Sequence, residues 1–234
     1  MALSPADLAK ILGAGAPVLM LDTCSLLDIV REPMRHDCRL GNVKAAMAML
    51  AAAETGSRLT VLIAEQVSLE LNDNLADVLQ VAGKAMREYI TQANHIDRVA
   101  MEYGAAGATS TTHLVDHVAR ATAVLSRWVA VGISVPAGPA VAQKAMDRVR
   151  HGVAPARRGK ENSKDCFVIE SYLETAAQLN AAGFAGRMVF GSSNTNEYLD
   201  PVSRQPPAPL DAHLLAERVV YGSTHELMKK ALGL

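Results

Sequence analysis

The side chains in this chain that could do chemistry together are carboxylates. Asp22 ends the apolar run in "VLMLDTCSLLD" (18–28). Glu65 and Glu70 follow a second apolar run in "VLIAEQVSLEL" (61–71). Asp165 opens an apolar stretch in "NSKDCFVIESYLETA" (162–176). Asn194, Asn196, Glu197 and Asp200 follow a third apolar run in "RMVFGSSNTNEYLD" (187–200). Carboxylates gathered at one point repel one another, and protons or cations must neutralise them. An all-oxygen ligand set without a His or Cys cage suits Mg²⁺ or Mn²⁺. Asp22, Glu70, Asp165 and Glu197 are the candidate ligands, and the chemistry implied is metal-assisted attack of water on a phosphodiester.

These groups can meet only if folding places each run's end on one side. Residues 17–22, 58–64 and 187–192 read as buried strands, being short apolar runs with β-formers. A last strand is expected in "RVVYGS" (218–223). Helices are expected over 5–12, stopped by Gly13; over 43–55, closed by Gly56; over 66–103; over about 112–130; over 139–151; over 164–181, with Ser163 as its cap and Gly183 as its end; and over "THELMKKAL" (224–232). A short helix is expected from Leu210, after the stiff "RQPPAP" (204–209). "VGISVPAGP" (131–139) reads as a break and "SSNTNEYLD" as a polar turn. Strands alternating with helices predict an α/β fold with a parallel sheet. In such a sheet ligands bind beyond the carboxyl ends of the strands. The expected organisation is one domain over 1–234, with a core at about 17–75 and 155–222 and a helical segment at about 80–150.

Composition narrows the classes. Half of the 234 residues are hydrophobic but only 4% are aromatic, so the core must be aliphatic and base stacking has few rings to use. A net charge of −1 gives no global basic field, so nucleic acid would need a local patch. "GVAPARRGKENS" (152–163) offers one, with Arg157, Arg158 and Lys160, followed by Lys164. Such a loop beside the acids could grip a polynucleotide backbone. The three cysteines, Cys24, Cys38 and Cys166, form no CxxC pair, which fits a reducing cytoplasm. Cys24 and Cys166 read as packing residues. The N-terminal stretch does not read as a signal peptide, and no apolar run is long enough to span a membrane. Thr23 and Ser192 could steady a carboxylate or the substrate, or make ordinary turn bonds. His113 and His117 have a zinc-compatible spacing but no third ligand nearby.

Together these stretches resemble a PIN domain, the fold of many small metal-dependent ribonucleases. "VLMLDTCSLL" is similar to the family's first motif, "VLIAEQVSLEL" to the second with its acid on Glu70, "NSKDCFVIESYLETA" to the third with Asp165, and "RMVFGSSNTNEYLD" to the fourth. In the fourth, Asn194 stands where many relatives carry Asp, and Glu197 could supply the missing charge, as a later acid does in a larger bacterial PIN-like branch. The resemblance implies a three-layer α/β/α core with a central parallel sheet. It implies Mg²⁺ or Mn²⁺ on Asp22, Glu70, Asp165 and Glu197. It implies a substrate, RNA rather than DNA, held by Thr23, Arg157, Arg158, Lys164, Ser192 and Asn194. It also brings in an antitoxin protein or a second copy of the chain as partners. A haloacid-dehalogenase-type phosphotransferase is disfavoured because Cys24 occupies the place of its second acid. A receiver domain is about half this length and needs adjacent acids. The rival from another class is a PIN-like RNA-binding or assembly module without turnover.

Overall fold

The computed structural model describes residues 3–31, 33–35, 38–157 and 162–234. Its elements in chain order are α1 (Pro5–Ala14), β1 (Val18–Leu21), α2 (Thr23–Leu27), α3 (Leu40–Glu54), β2 (Thr60–Ala64), α4 (Glu65–Glu102), a 3₁₀ turn (Thr112–Leu114), α5 (His117–Val131), β3 (Gly132–Val135), α6 (Pro139–His151), α7 (Ser163–Ala181), β4 (Met188–Gly191), α8 (Thr195–Tyr198), α9 (Leu210–Ala216), β5 (Val219–Gly222) and α10 (His225–Leu232).

The five strands form a single sheet in the order β3-β2-β1-β4-β5, and every neighbouring pair is parallel. Helices flank it, so the expected PIN-like α/β/α architecture is present. β1 and β4 are wholly buried, as strands covered on both faces must be. Removing side chains such as Leu19, Leu62 and Val189 from water contributes about 1.5–3 kcal/mol each. The chain runs outward from β1 to β2 and β3, then returns to build β4 and β5 on the other side. The order therefore reverses between β1 and β4, and their following loops diverge. That opens the crevice in which α/β sheets bind ligands.

Several features fix the geometry of that crevice. Leu21 pairs with both Ile63 and Gly191, so the ends of the three central strands are level. The Tyr172 hydroxyl on α7 donates to the Leu21 carbonyl and accepts the Ala64 N–H at 3.0 Å, tying the tips of β1 and β2 to that helix. Phe190 on β4 packs against Tyr172, Tyr198 and Tyr221 with ring centroids 5.0–5.8 Å apart, an aromatic layer directly beneath the loop after β4. At Gly222 an added Cβ would come within 2.8 Å of Met228 Cγ and 3.2 Å of its Cα, so a glycine there lets α10 close onto the sheet.

Some sequence expectations need correction. "VGISVPAGP" contains a strand, β3, which pairs with β2 at the sheet edge. Val135 is buried while Gly132, Ile133 and Ser134 are half-buried or exposed, and four residues are too few for a period to mark them. The middle segment thus contributes to the sheet. Helix α1 passes through Gly13 and stops at Gly15, whose φ of 59° closes it. Ser163 is the first residue of α7, with Asn162 at the cap position. The polar turn after β4 contains the short helix α8. No helix is long and apolar enough to cross a membrane among the described residues.

Candidate active site

Asp22 follows β1 and is 2% exposed. It caps α2: the Thr23 N–H donates to its Oδ1 at 2.8 Å. Across the sheet, the Ser192 hydroxyl donates to its Oδ2 at 2.5 Å. Ser192 in turn accepts the Asn194 N–H at 3.1 Å, which sets the loop after β4. The Thr23 hydroxyl donates to Glu70 Oε2 at 3.0 Å, and Gln66 donates to Glu70 Oε1 at 3.0 Å. The two hydroxyls therefore hold carboxylates, one on each side of Asp22. Ordinary turn bonding does not account for them.

Asp165 lies in the first turn of α7, as its position before an apolar run predicts. The Asn194 amide reaches its Oδ1 at 3.4 Å, and the Tyr198 hydroxyl donates to its backbone carbonyl at 3.3 Å. Asp165 and Glu70 are close enough to raise the proton affinity of Asp22, and Glu70 that of Asp165. Burial first, then the nearby Asp165 and Glu70, push Asp22 up to about 7 against the pull of Ser192 and Thr23. Burial first, then Glu70 and Glu197, push Asp165 up to about 6. Glu197 thus also faces Asp165. Its Oε2 accepts from Asn162 and lies 4.0 Å from Arg157 Nε.

Other candidates go elsewhere. Glu65 accepts the Ala137 N–H at 3.1 Å, which anchors the loop after β3 and leaves Glu70 as the acid of that region facing Asp22. Asp200 closes its own turn by accepting the N–H groups of Val202 and Ser203. Lys164 is exposed and 3.9 Å from Asp73. Arg157 is beside the site, whereas Arg158 and Lys160 lie outside the described residues. His113 sits in the 3₁₀ turn and His117 starts a separate helix, so their i,i+4 spacing does not put them on one helical face. Burial pushes the Cys166 thiol up to about 11, and raises Cys24 as well, in keeping with packing roles.

Three contributors were not foreseen. Ser25 donates to the Gly191 carbonyl and accepts the Ser193 N–H at 3.1 Å, joining α2 to the loop after β4. Its one clue is its place, one turn from Asp22. Asn162 is buried, holds Glu197, and leaves its Oδ1 without a partner among the described residues. Tyr172, seven residues after Asp165, falls two turns along the same helix.

The donor set fits a hard divalent cation. It is all oxygen, and Asp22 and Asp165 are driven towards the protonated state by burial and by neighbouring acids. Among the described residues no three His, Cys, Asp or Glu side chains are grouped so as to hold a metal ion together. A divalent ion would then rest on one or two carboxylates and water, the usual manner of Mg²⁺.

An all-parallel α/β/α fold with acids at its switch point belongs to the α/β proteins that bind ligands in the crevice beyond their strand ends. Within that class, a family model for the PIN domain matches residues 19–198, well over half of the chain. The chain belongs to the PIN domain family. PIN domains are generally nucleases and typically use divalent metals. Searches of curated proteins and of solved structures gave no match.

Proposed function

We propose that the chain is a divalent-metal-dependent ribonuclease. The observation that carries this reading is the gathering of Asp22, Glu70 and Asp165 from three different elements at the ends of the central strands, held by Ser192, Thr23 and Asn194, where nearby acids and burial raise Asp22 and Asp165. Two buried acids pushed to about 7 and 6 lose their protons readily near neutral pH once positive charge arrives. Asp22 and Asp165 would hold the Mg²⁺ or Mn²⁺, with Glu70 facing them. When bound, the ion supplies Lewis acidity to a phosphoryl oxygen and lowers the pKa of water.

The chain's own residues do the rest. Ser192 and Thr23 fix Asp22 and Glu70 so that their oxygens stay on one side of the crevice. Asn194 orients Asp165. Glu197, steadied by Asn162 and Arg157, adds negative potential behind Asp165. Arg157 also borders a smaller cavity of about 160 Å³ with Arg204, where a phosphate backbone leaving the carboxylates would meet positive charge. Lys164 and Arg158 are the further cations proposed for the strand, and RNA is the proposed partner.

The test is cleavage of labelled single-stranded RNA in Mn²⁺ by the wild type and by Asp22→Asn. The expected loss in the variant is about 10²-fold or more, the scale on which one charge-stabilising group acts. The second reading, an RNA-binding module without turnover, draws on Asn194 in place of an acid and on Glu197 being already engaged. Absence of cleavage by the wild type on RNAs that it binds would select that reading.

A further inference from the structure

Beside α2 and the segment after β4 lies a cavity of about 460 Å³, the size of a small-molecule site. Ser25 and Asp28 of the α2 region and Ser193 and Thr195 of the loop after β4 form one wall, so the cavity and the carboxylates share that wall. The opposite side is apolar, made by Val43 and Met47 of α3, Val124 of α5 and Met228 of α10. Four arginines line it as well: Arg31, Arg35, Arg39 and Arg120. Asp28 is the one carboxylate among its described lining residues, and it is 2.5 Å from Arg31 and 3.8 Å from Arg35. Arg39 is exposed and has no ion pair among the described residues. Arg120 reaches the His113 carbonyl and Asp116 from the α5 side.

At the floor is His225, 7% exposed, whose Nε2 has no hydrogen-bond partner among the described residues. Its ring bonds the Ser25 backbone. With that bond on Nδ1, Nε2 is left enclosed by the protein without a partner among the described residues. Burial holds the ring's pKa below the usual imidazole value, against the pull of Asp28 and the Ser25 backbone. A neutral ring whose Nδ1–H is donated to a carbonyl presents a lone pair at Nε2, and a buried lone pair left unpaired is costly.

A ligand that suits the apolar side and the arginines together has a flat, largely apolar body and an anionic group on its exterior. A nucleotide has that make-up. We propose that this cavity holds one nucleotide of the substrate strand, adjacent to the phosphodiester at the carboxylates, with the base over Met47 and Val43 and its phosphate on the arginines. The placement next to the cut rests on the ribonuclease reading; nucleotide binding itself does not.

The experiment measures binding by calorimetry in EDTA. The ligands are the four nucleoside 5′-monophosphates, inorganic phosphate and a short single-stranded RNA, each titrated into Asp22→Asn protein. Short RNA is expected to bind at least about tenfold tighter than any monophosphate, and monophosphates tighter than phosphate. Arg39→Ala with Arg120→Ala, both on the exposed rim, should weaken the RNA by about tenfold or more with Tm unchanged. Equal affinity for phosphate and nucleotide, or no loss in the arginine variants, overturns the proposal. A monophosphate that binds as tightly as the RNA overturns the strand assignment in favour of a free nucleotide. Binding that behaves as expected in a protein that never cleaves RNA strikes the nuclease reading alone.

Discussion

Asp22 is held in a place where its charge is unwelcome. Burial and two neighbouring acids push it to about 7, from an ordinary value of 3.8 that the unfolded chain would show. Between those two pH values the folded state binds more protons than the unfolded one. Stability from this group is therefore complete below about pH 4 and is lost as pH rises through about 7. Each unit costs about 1.4 kcal/mol. Asp165 adds the same trend up to about 6. The metal-free protein is accordingly expected to melt at a higher temperature at pH 5 than at pH 8. Asp22→Asn should flatten that slope. Mn²⁺ should raise the wild-type Tm clearly at pH 8, little at pH 5, and less in the variant at either pH. A Mn²⁺ shift of equal size in wild type and variant would remove Asp22 from the ion's ligands. At this scale the acids were legible because each stands near a boundary of an apolar run, after it for Asp22 and Glu70 and before it for Asp165. Thr23 and Ser192 were legible only as hydroxyls able to hold a carboxylate or close a turn, and Ser25 carries no mark that distinguishes a hydroxyl bridging two elements.

Elements need their own supports, and the start of α7, which delivers Asp165, has an evident one. Arg148 on α6 and Glu170 on α7 form a buried ion pair, with side chains 5% and 8% exposed. The Arg148 guanidinium also donates to the Ala154 carbonyl at 2.5 Å, on the loop that leads towards α7, and meets His213 Nδ1 of α9 at 2.9 Å. One side chain thereby joins two helices to the segment that positions the third motif. Removing one partner leaves a buried charge, which costs about 3–5 kcal/mol. Glu170→Ala is expected to lower unfolding stability in urea by that amount, while Arg148→Met with Glu170→Leu recovers most of it. A loss near that of a surface pair, below about 1 kcal/mol, would show that water reaches the site. Glu170, set among apolar residues in "CFVIESYL", is not among the acids that the sequence singles out. Its partner, 22 residues upstream on another helix, leaves no trace in sequence spacing. Strand β3 was hidden for a different reason. An edge strand of only four residues, beginning at Gly132 and followed by Pro136, is too short for its Ile133/Val135 alternation to stand out from a turn.

The molecule as a whole is assembled from both ends of the chain. β1 and β2 come from residues before 65, and β3, β4 and β5 from residues after 131. Between them α4, with 38 residues, extends roughly 57 Å, longer than the sheet it leaves. The far part of this excursion supplies no side chain to the main core: the core cluster passes from Leu71, with Leu75, Val78 and Leu79 against it, to Ala121, Val124 and Leu125. The turn beyond α4 is exposed, and Tyr103 at its start is 88% accessible. Such loops are where proteases cut first. Brief chymotrypsin treatment is expected to nick the chain after Tyr103. The two pieces should then migrate as one species on size exclusion, because β2 pairs with β3 and β1 with β4 across the nick. The nicked protein should also keep its Mn²⁺-dependent Tm shift, since Asp22 and Glu70 belong to one piece and Asp165 to the other. If the pieces part without denaturant, the parallel pairing across the switch point is not what holds the site together. The crevice would then need the intact helical excursion as a covalent strut.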